Sequence, residues 1–448
     1  MIKKAAIIGL LIFGFFFGAG NLIFPPSLGF LSGEHFWPSI LGFILSGVGI
    51  AVLALIVGAL NPKGYTYELE QRVSPWFATI FLVLLYLTIG PFFAIPRTAS
   101  VAFEVAFGNV VPMDWNVWGR LIFTAFYFAC AIAIAFNPSK ILNRIGKIMT
   151  PIFVGCIILL VVLGLMKYGH QPAGKALEGY AANAFGTGFL EGYNTLDALA
   201  SVAFSGVIVQ SMRQLGFSSK KEYTRIVWMV GLVVGLLFST LYLGLSALGN
   251  HFVIQAEVVS NADRHNGVYV LTQATHELFG SFGQAFLAIM VVMTCFTTTV
   301  GLIVSLSEYF EERFSWISYR SCAITFTLLG FLVANMGLNN IIQYSVPVLQ
   351  ILYPITIVFV LILLLNKVLP MAKLGQQLTI GFVTILSILT SLAGLTGWTS
   401  LNDLVGIFQL SDLSMNWLLP SVVGILLACL LPNRRKSEDL SDSDFLNS

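Results

Sequence analysis

Charge is what this sequence has least of. Only 10% of its 448 residues are Asp, Glu, Lys or Arg, against 57% in the hydrophobic set, and mean hydropathy is +0.87. A soluble chain carries roughly 25% charge, so this composition cannot furnish a water-facing surface. Histidine and cysteine are also scarce, with five of each. Cys130, Cys156, Cys295, Cys322 and Cys429 stand singly in apolar runs without a CxxC spacing, which argues against a metal cluster or a disulfide framework and for small core side chains. The net charge of +2 is small and scattered, with one basic run at Arg434-Arg435-Lys436, so no nucleic-acid partner is expected. No Ser-His-Asp set, P-loop or metal-ligand spacing is present. The chain therefore does not read as an enzyme, and it calls for no cofactor.

What the sequence has in abundance is long apolar runs, such as Ile40 to Leu60 and Val346 to Leu365. A helix crosses a hydrocarbon core with about 20 such residues. Twelve candidate spans follow, near 5–31, 37–60, 76–102, 117–136, 147–167, 188–213, 224–250, 283–311, 317–336, 341–366, 376–398 and 415–431. The first begins after Lys3-Lys4 and runs through to Pro25-Pro26 without an A-x-A site, so it reads as a retained span rather than a cleaved signal. Positive residues stay on the cytoplasmic side of a bilayer. With both termini placed inside, only Arg97, Arg120, Lys167, Lys175 and Arg264 of the 23 lysines and arginines fall near the outer side. The longest outer loop, Asn250 to Phe282, carries His251, Glu257, Asp263, Arg264, His265, His276 and Glu277, and reads as a surface helix or cap. The tail from Lys436 to Ser448 is rich in Ser, Asp and Glu and is expected to be disordered.

The most informative stretch is Gly14-Phe15-Phe16-Phe17-Gly18-Ala19-Gly20-Asn21-Leu22-Ile23-Phe24-Pro25-Pro26. Three glycines, an amide and two prolines are poor material for an unbroken helix, although Gly14 and Gly18 alone would also suit a helix-packing face. Gly-Phe-x-x-Gly recurs at Gly188 to Gly192, again with a polar cluster after it, Tyr193-Asn194-Thr195-Leu196-Asp197. Five spans separate the two copies, an odd offset that reverses direction. Inverted repeats with paired discontinuous helices point to the midplane site of a secondary transporter. Asp197 is either part of that site or a carboxylate capping the restarted helix. Arg97 and Glu104 read as an outer-gate pair or as side chains reaching the headgroups, and Glu308 as a solvated helix end. Thr294-Cys295-Phe296-Thr297-Thr298-Thr299 in span eight presents hydroxyls in several directions, some of which must face the interior. These suit a dehydrated alkali cation or simple bonding to their own helix.

Together with Gly90-Pro91-Phe92-Phe93-Ala94-Ile95-Pro96-Arg97-Thr98-Ala99 and Glu191 to Ala200, the opening motif resembles the bacterial branched-chain amino acid:cation symporter family over essentially the whole chain. The resemblance implies uptake of leucine, isoleucine and valine coupled to sodium across a bacterial cytoplasmic membrane. It also implies kinship with carriers of the leucine-transporter fold: an all-α membrane protein of twelve transmembrane helices, in which a 5+5 inverted repeat with discontinuous helices one and six is followed by two C-terminal helices. The corresponding divisions are 1–167, 168–366, 367–435 and the tail 436–448. The resemblance further implies a sodium site from Gly14, Phe17, Thr294, Thr297 and Thr298, and a substrate site from Ala19, Gly20, Asn21, Gly192, Tyr193, Asn194 and Asp197. Those relatives have no carboxylate where Glu191 and Asp197 fall, so proton coupling through either residue stays open as an alternative, and a channel is a more distant one.

Overall fold

The computed structural model describes residues 2–61, 63–108, 115–136, 140–177, 179–215, 219–253, 265–408 and 415–431. The proposed tail, Glu257, Asp263 and Arg264 of the outer loop, and Arg434 to Lys436 lie outside these residues. Among those described, every regular element is helical. The first expected span is two helices, α1 (Ile2–Phe16) and α2 (Ala19–Ser32). Helix α3 (Phe36–Ile44) continues through a π turn at Leu45–Ile50 into α4 (Ala51–Leu60), and the short α5 (Gly64–Arg72) follows. The third span is α6 (Pro75–Leu87), a π turn at Thr88–Phe92, then α7 (Ala94–Phe107). After α8 (Asn116–Ala135), α9 (Lys140–Tyr168) and the single turn α10 (Gly179–Ala182), the sixth span is again divided, into α11 (Ala184–Tyr193) and α12 (Asp197–Leu215). Then come α13 (Lys220–His251), α14 (Asn266–Arg313), α15 (Tyr319–Ala334), α16 (Leu338–Leu365), α17 (Lys373–Thr396), α18 (Thr399–Gly406) and α19 (Leu418–Leu430).

Many of these ends follow from local sequence. Ser74 accepts from Phe77 N at 3.2 Å with Pro75 in the first turn, Ser219 accepts from Glu222 N at 3.3 Å, and Ser318 accepts from Ser321 N at 3.3 Å. Each hydroxyl satisfies an amide that the helix start leaves without a carbonyl. Gly397 closes α17 with φ +64°, a conformation glycine takes without a Cβ clash.

Nine helical stretches among the described residues are long and apolar enough to cross a membrane, and Lys4–Phe16, Tyr319–Ala334 and Leu418–Leu430 are shorter apolar helices. Length alone counts fewer spans than the twelve expected. Phe17-Gly18 cuts the first span short, while Ala19 to Leu60 runs as one 42-residue stretch. The outward surface bears exposed Trp37, Trp76, Phe126, Leu236 and Leu332. Such side chains suit hydrocarbon rather than water.

Packing pairs the two divided spans with their neighbours. Helices α1 and α2 lie against α13, while α11 lies on α3 and α12 on α4, and α7 runs along α14. Small residues allow the close approaches. A Cβ on Gly29 would stand 1.8 Å from the Ser246 carbonyl oxygen, and one on Gly188 would stand 2.1 Å from that of Ser39. Helix α14 bends at Gly280, φ +65°, so that 266–279 forms a helical arm within the segment expected as a surface helix or cap, with Gly267, Val268, Val270, Leu271, Thr272, Ala274 and Thr275 buried rather than exposed. There Glu277 takes a hydrogen bond from Tyr168 at 2.7 Å and an ion pair from Lys167 at 3.2 Å, and Gly267 sits where a Cβ would come within 1.8 Å of the Ile23 carbonyl.

Candidate functional site

Both divided spans break where the sequence places polar and small residues. In the first, Phe17 N still bonds to Phe13 O at 2.8 Å, but the Gly18 amide turns instead to Asn21 Oδ1 at 3.0 Å. The donor that would normally take the Gly14 carbonyl is thereby engaged elsewhere. Helix α2 then restarts at Ala19, with its first amides at a helix N-terminus, where anions are favoured. Gly18 has φ −121° and ψ −160°, an extended conformation open to any residue. It faces α14, where a Cβ would stand in ordinary contact with Thr298, 3.4 Å from Cγ2 and 3.6 Å from its hydroxyl oxygen.

The second break, Asn194-Thr195-Leu196, contains no glycine. Leu196 takes φ +65°, a left-handed conformation that costs a branched residue roughly 1–2 kcal/mol. Surrounding bonds hold it. Leu196 N bonds to Tyr193 O at 3.0 Å, Thr195 Oγ1 donates to Gly192 O at 2.9 Å, and Asn194 O accepts from Arg97 Nη1. The two breaks meet. A Cβ on Gly20 would lie 3.4 Å from both Thr195 Cα and Thr195 O.

One buried network ties them together. Asn21 Nδ2 donates to Asp197 Oδ2 at 2.8 Å and reaches Oδ1 at 3.0 Å, and the Tyr242 hydroxyl donates to Oδ2 at 2.6 Å while touching the Asn21 amide. Asp197 opens α12 and is 3% exposed. A carboxylate at that depth needs several donors, and Asn21 of α2 and Tyr242 of α13 provide them. Ser201, one turn on, donates to Asp197 O at 2.8 Å and to Ala51 O at 2.7 Å, fixing α12 on α4.

The threonines of α14 do face different ways. Thr297 and Thr298 donate to Thr294 O at 2.9 and 3.2 Å, with Thr298 beside Gly18. The Thr298 oxygen keeps its lone pairs on the side of the first break. Thr299 turns the other way, 2.5 Å from Thr98 Oγ1 and 2.8 Å from Tyr127 OH. Of the expected sodium residues the structure thus places Thr298 at the first break, beside Gly18, and of the expected substrate residues it joins Gly20 to Thr195 and Asn21 to Asp197, while Gly192 packs on Ser46 and Tyr193 stacks on Tyr353.

Arg97 departs from expectation. It neither reaches the headgroups nor forms an outer-gate pair. It is 1% exposed, donates to Asn194 O and, at 3.2 Å, to Ser345 Oγ, and stands 5.2 Å over the Phe24 ring. The π turn at Thr88–Phe92, with Gly90 at φ −97° and ψ −121°, redirects α7 so that this side chain enters the core. Tyr242 and Ser345 were not marked by the sequence. Nothing local distinguishes them, whereas an arginine next to a Gly-Pro break was a signal.

Solved structures share this fold. The chain resembles a manganese transporter from Eremococcus coleocola (TM-score 0.58, 15% identity, 95% of each chain covered). It resembles equally a nucleobase-cation-symport-1 family transporter in a closed conformation with bromovinylhydantoin bound (TM-score 0.59, 11% identity, 94% and 91% covered). It is also similar to MhsT in complex with L-phenylalanine (TM-score 0.52, 16% identity, 95% and 97% covered). The fold is that of the leucine-transporter class of membrane carriers.

Within that class the chain belongs to the branched-chain amino acid transport protein family, which matches residues 1–435. A protein of Staphylococcus saprophyticus, provisionally named a branched-chain amino acid carrier, is 39% identical over 444 residues, covering 97% of this chain and 98% of the relative. One from Staphylococcus aureus with the same designation is 38% identical over 437 residues, covering 96% and 97%. The protein is a multi-pass membrane carrier and not an enzyme.

Proposed function

We propose that this carrier imports leucine, isoleucine and valine together with sodium, by alternating access. The observation that supports it best is the meeting of two interrupted spans at Gly20 and Thr195, tied by the bond from Asn21 to Asp197. Their unwound peptide groups offer amides on one side and carbonyls on the other. A zwitterion satisfies both. The carboxylate is taken by amides near Ala19 and Gly20, the ammonium lies toward the carbonyl end of α11 at Gly192, Tyr193 and Asn194, and the aliphatic side chain lies among apolar groups. An apolar pocket separates neighbours differing by one methylene by only ~1–3 kcal/mol, so the three substrates share it. Sodium sits between carbonyls of Gly14, Phe17 and Thr294 and hydroxyls of Thr297 and Thr298, and favours the state in which the amino-acid site is complete.

We further take the chain as twelve spans with an inverted repeat, 1–167 and 168–366, two more helices in 367–435, and both termini cytoplasmic. The packing supports this: the first span lies on the seventh and the sixth on the second, a pattern unchanged when the two repeats are exchanged. A proton-coupled reading, through Asp197 or Glu191, draws on the buried Asn21, Asp197 and Tyr242 network. Uptake of labelled leucine into proteoliposomes decides between them. A sodium gradient at equal pH is expected to drive accumulation, whereas accumulation under a proton gradient alone would favour the second reading. Counterflow from leucine-loaded vesicles separates either from a channel.

A further inference from the structure

Arg97 is the one charged group at the junction of the two breaks to which the reading above gives no task. Its guanidinium carries five donors in a rigid fork. Nη1 gives one to Asn194 O and Nη2 one to Ser345 Oγ, while Nε, fully buried, has no hydrogen-bond partner among the described residues. The groups it touches are neutral: a carbonyl, a hydroxyl and the face of Phe24. Of the nearby carboxylates, Glu191 is close enough to act on the charge of Arg97, and both it and Asp197 take part in other bonds. Asp197 accepts from Asn21 and Tyr242, and Glu191 Oε2 accepts from Asn194 Nδ2 at 3.2 Å. A buried cation with an unused donor is costly unless an anion completes it.

The place where such an anion would lie is defined from three sides. Phe24, under the guanidinium, is also the ring whose Cε2 stands 3.4 Å from where a Cβ on Gly20 would be, and Gly20 faces Thr195, the residue after Arg97's own acceptor Asn194. The free edge of Arg97, the first turn of α2 and the second break therefore surround one region. Helix α2 brings its positive end there, so cationic donors and helix dipole favour the same ligand charge.

We propose that Arg97 binds the α-carboxylate of the transported amino acid, making it a substrate-binding residue beyond the peptide groups of the two breaks. This rests on the reading of the protein as an amino-acid carrier. It defines the substrate class by its head rather than by its side chain: a free carboxylate is required, and an aliphatic amine or amide of the same shape is rejected. Because Nη1 also holds Asn194 O, the ligand's carboxylate and the second break share one side chain.

The test is competition against labelled leucine binding on the purified full-length protein, with leucine and leucinamide as competitors, for the wild type, Arg97→Gln and Arg97→Lys. The wild type is expected to prefer leucine by about 100-fold, as expected when a charge-assisted contact is lost. In Arg97→Gln that preference is expected to shrink to about threefold, through loss of leucine affinity with little change for leucinamide. Arg97→Lys keeps the charge without the fork and is expected to retain a preference of about tenfold, which serves if the glutamine variant does not fold. A ratio that stays at its wild-type value in a variant that still binds leucine would overturn this inference alone. A wild type that binds no leucine would overturn the carrier reading and this inference with it.

Discussion

The two breaks do the same job with opposite means. The first is rich in glycine, yet Gly18 adopts an extended backbone that any residue could take and stands at ordinary contact distance from Thr298 across the gap, while the approach to the second break is made at Gly20, against Thr195 and beside Phe24. The second has no glycine, yet Leu196 is held at φ +65°, where glycine would be at ease. Glycine content marks where a neighbour comes close, and the second break is imposed by its surroundings. Arg97 donates to Asn194 O, Thr195 Oγ1 donates to Gly192 O and accepts from the Asp197 amide, and these bonds hold it open.

Four substitutions test that contrast. The largest effect is expected at the tie between the breaks. Asp197→Ala strands Asn21 and Tyr242 without their shared acceptor, at about 1–3 kcal/mol for each buried group, and leucine uptake in proteoliposomes should fall by about 100-fold or more. Near-normal uptake would mean that the breaks work independently. Next comes Gly192→Ala, whose methyl would meet Ser46 Oγ at 2.0 Å and Gly47 N at 2.9 Å. It should push α11 from α3 and lower maximal uptake by roughly tenfold, in line with the 1–3 kcal/mol typical of overpacking. A neutral result there would show that this seam is loosely packed.

Thr298→Ala removes one hydroxyl from the first break while leaving the second untouched. The sodium concentration for half-maximal uptake should rise about tenfold, as for one lost ligand worth about 1.4 kcal/mol, with maximal uptake preserved. Unaltered sodium dependence would remove Thr298 from the ion site. The smallest effect on uptake is expected for Leu196→Gly. Relief of about 1–2 kcal/mol of left-handed strain offsets only part of the ~2–5 kcal/mol lost when a buried leucine, 4% exposed, is removed, so the melting temperature should fall by a few degrees while leucine uptake changes less than twofold. A melting temperature that holds or rises would show that backbone strain, not the leucine side chain, dominates at this break.

Much of this was legible in the residues. Gly14 to Pro26 and Gly188 to Asp197 announced interrupted helices, and the breaks fall at Phe17-Gly18 and Asn194 to Leu196. The paired roles of Asn21 and Asp197 could be suspected because polar groups in apolar spans need partners. That the two would partner each other could not, because 176 positions separate them. Arg97 was misplaced for a related reason. Distance along the helix put it near the membrane surface, but the turn at Gly90-Pro91 redirects α7, and its acceptors lie on the sixth and tenth spans. Tyr242 and Ser345 gave no signal, since a lone hydroxyl in a membrane helix is usually spent on its own backbone. Helix starts at Ser74, Ser219 and Ser318 depend on neighbours only three residues away, so their information is local.

The outer helix 266–279 has a mechanical consequence. Gly267 lies against the Ile23 carbonyl so tightly that no side chain fits between them, while at the other end Gly280 turns in open space and Lys167 and Tyr168 grip Glu277. The cap is therefore geared to α2 at one end and clasped to α9 at the other, with a free joint behind. Any displacement of 266–279 is shared with α2, because the contact at Gly267 leaves no room for one to slip past the other.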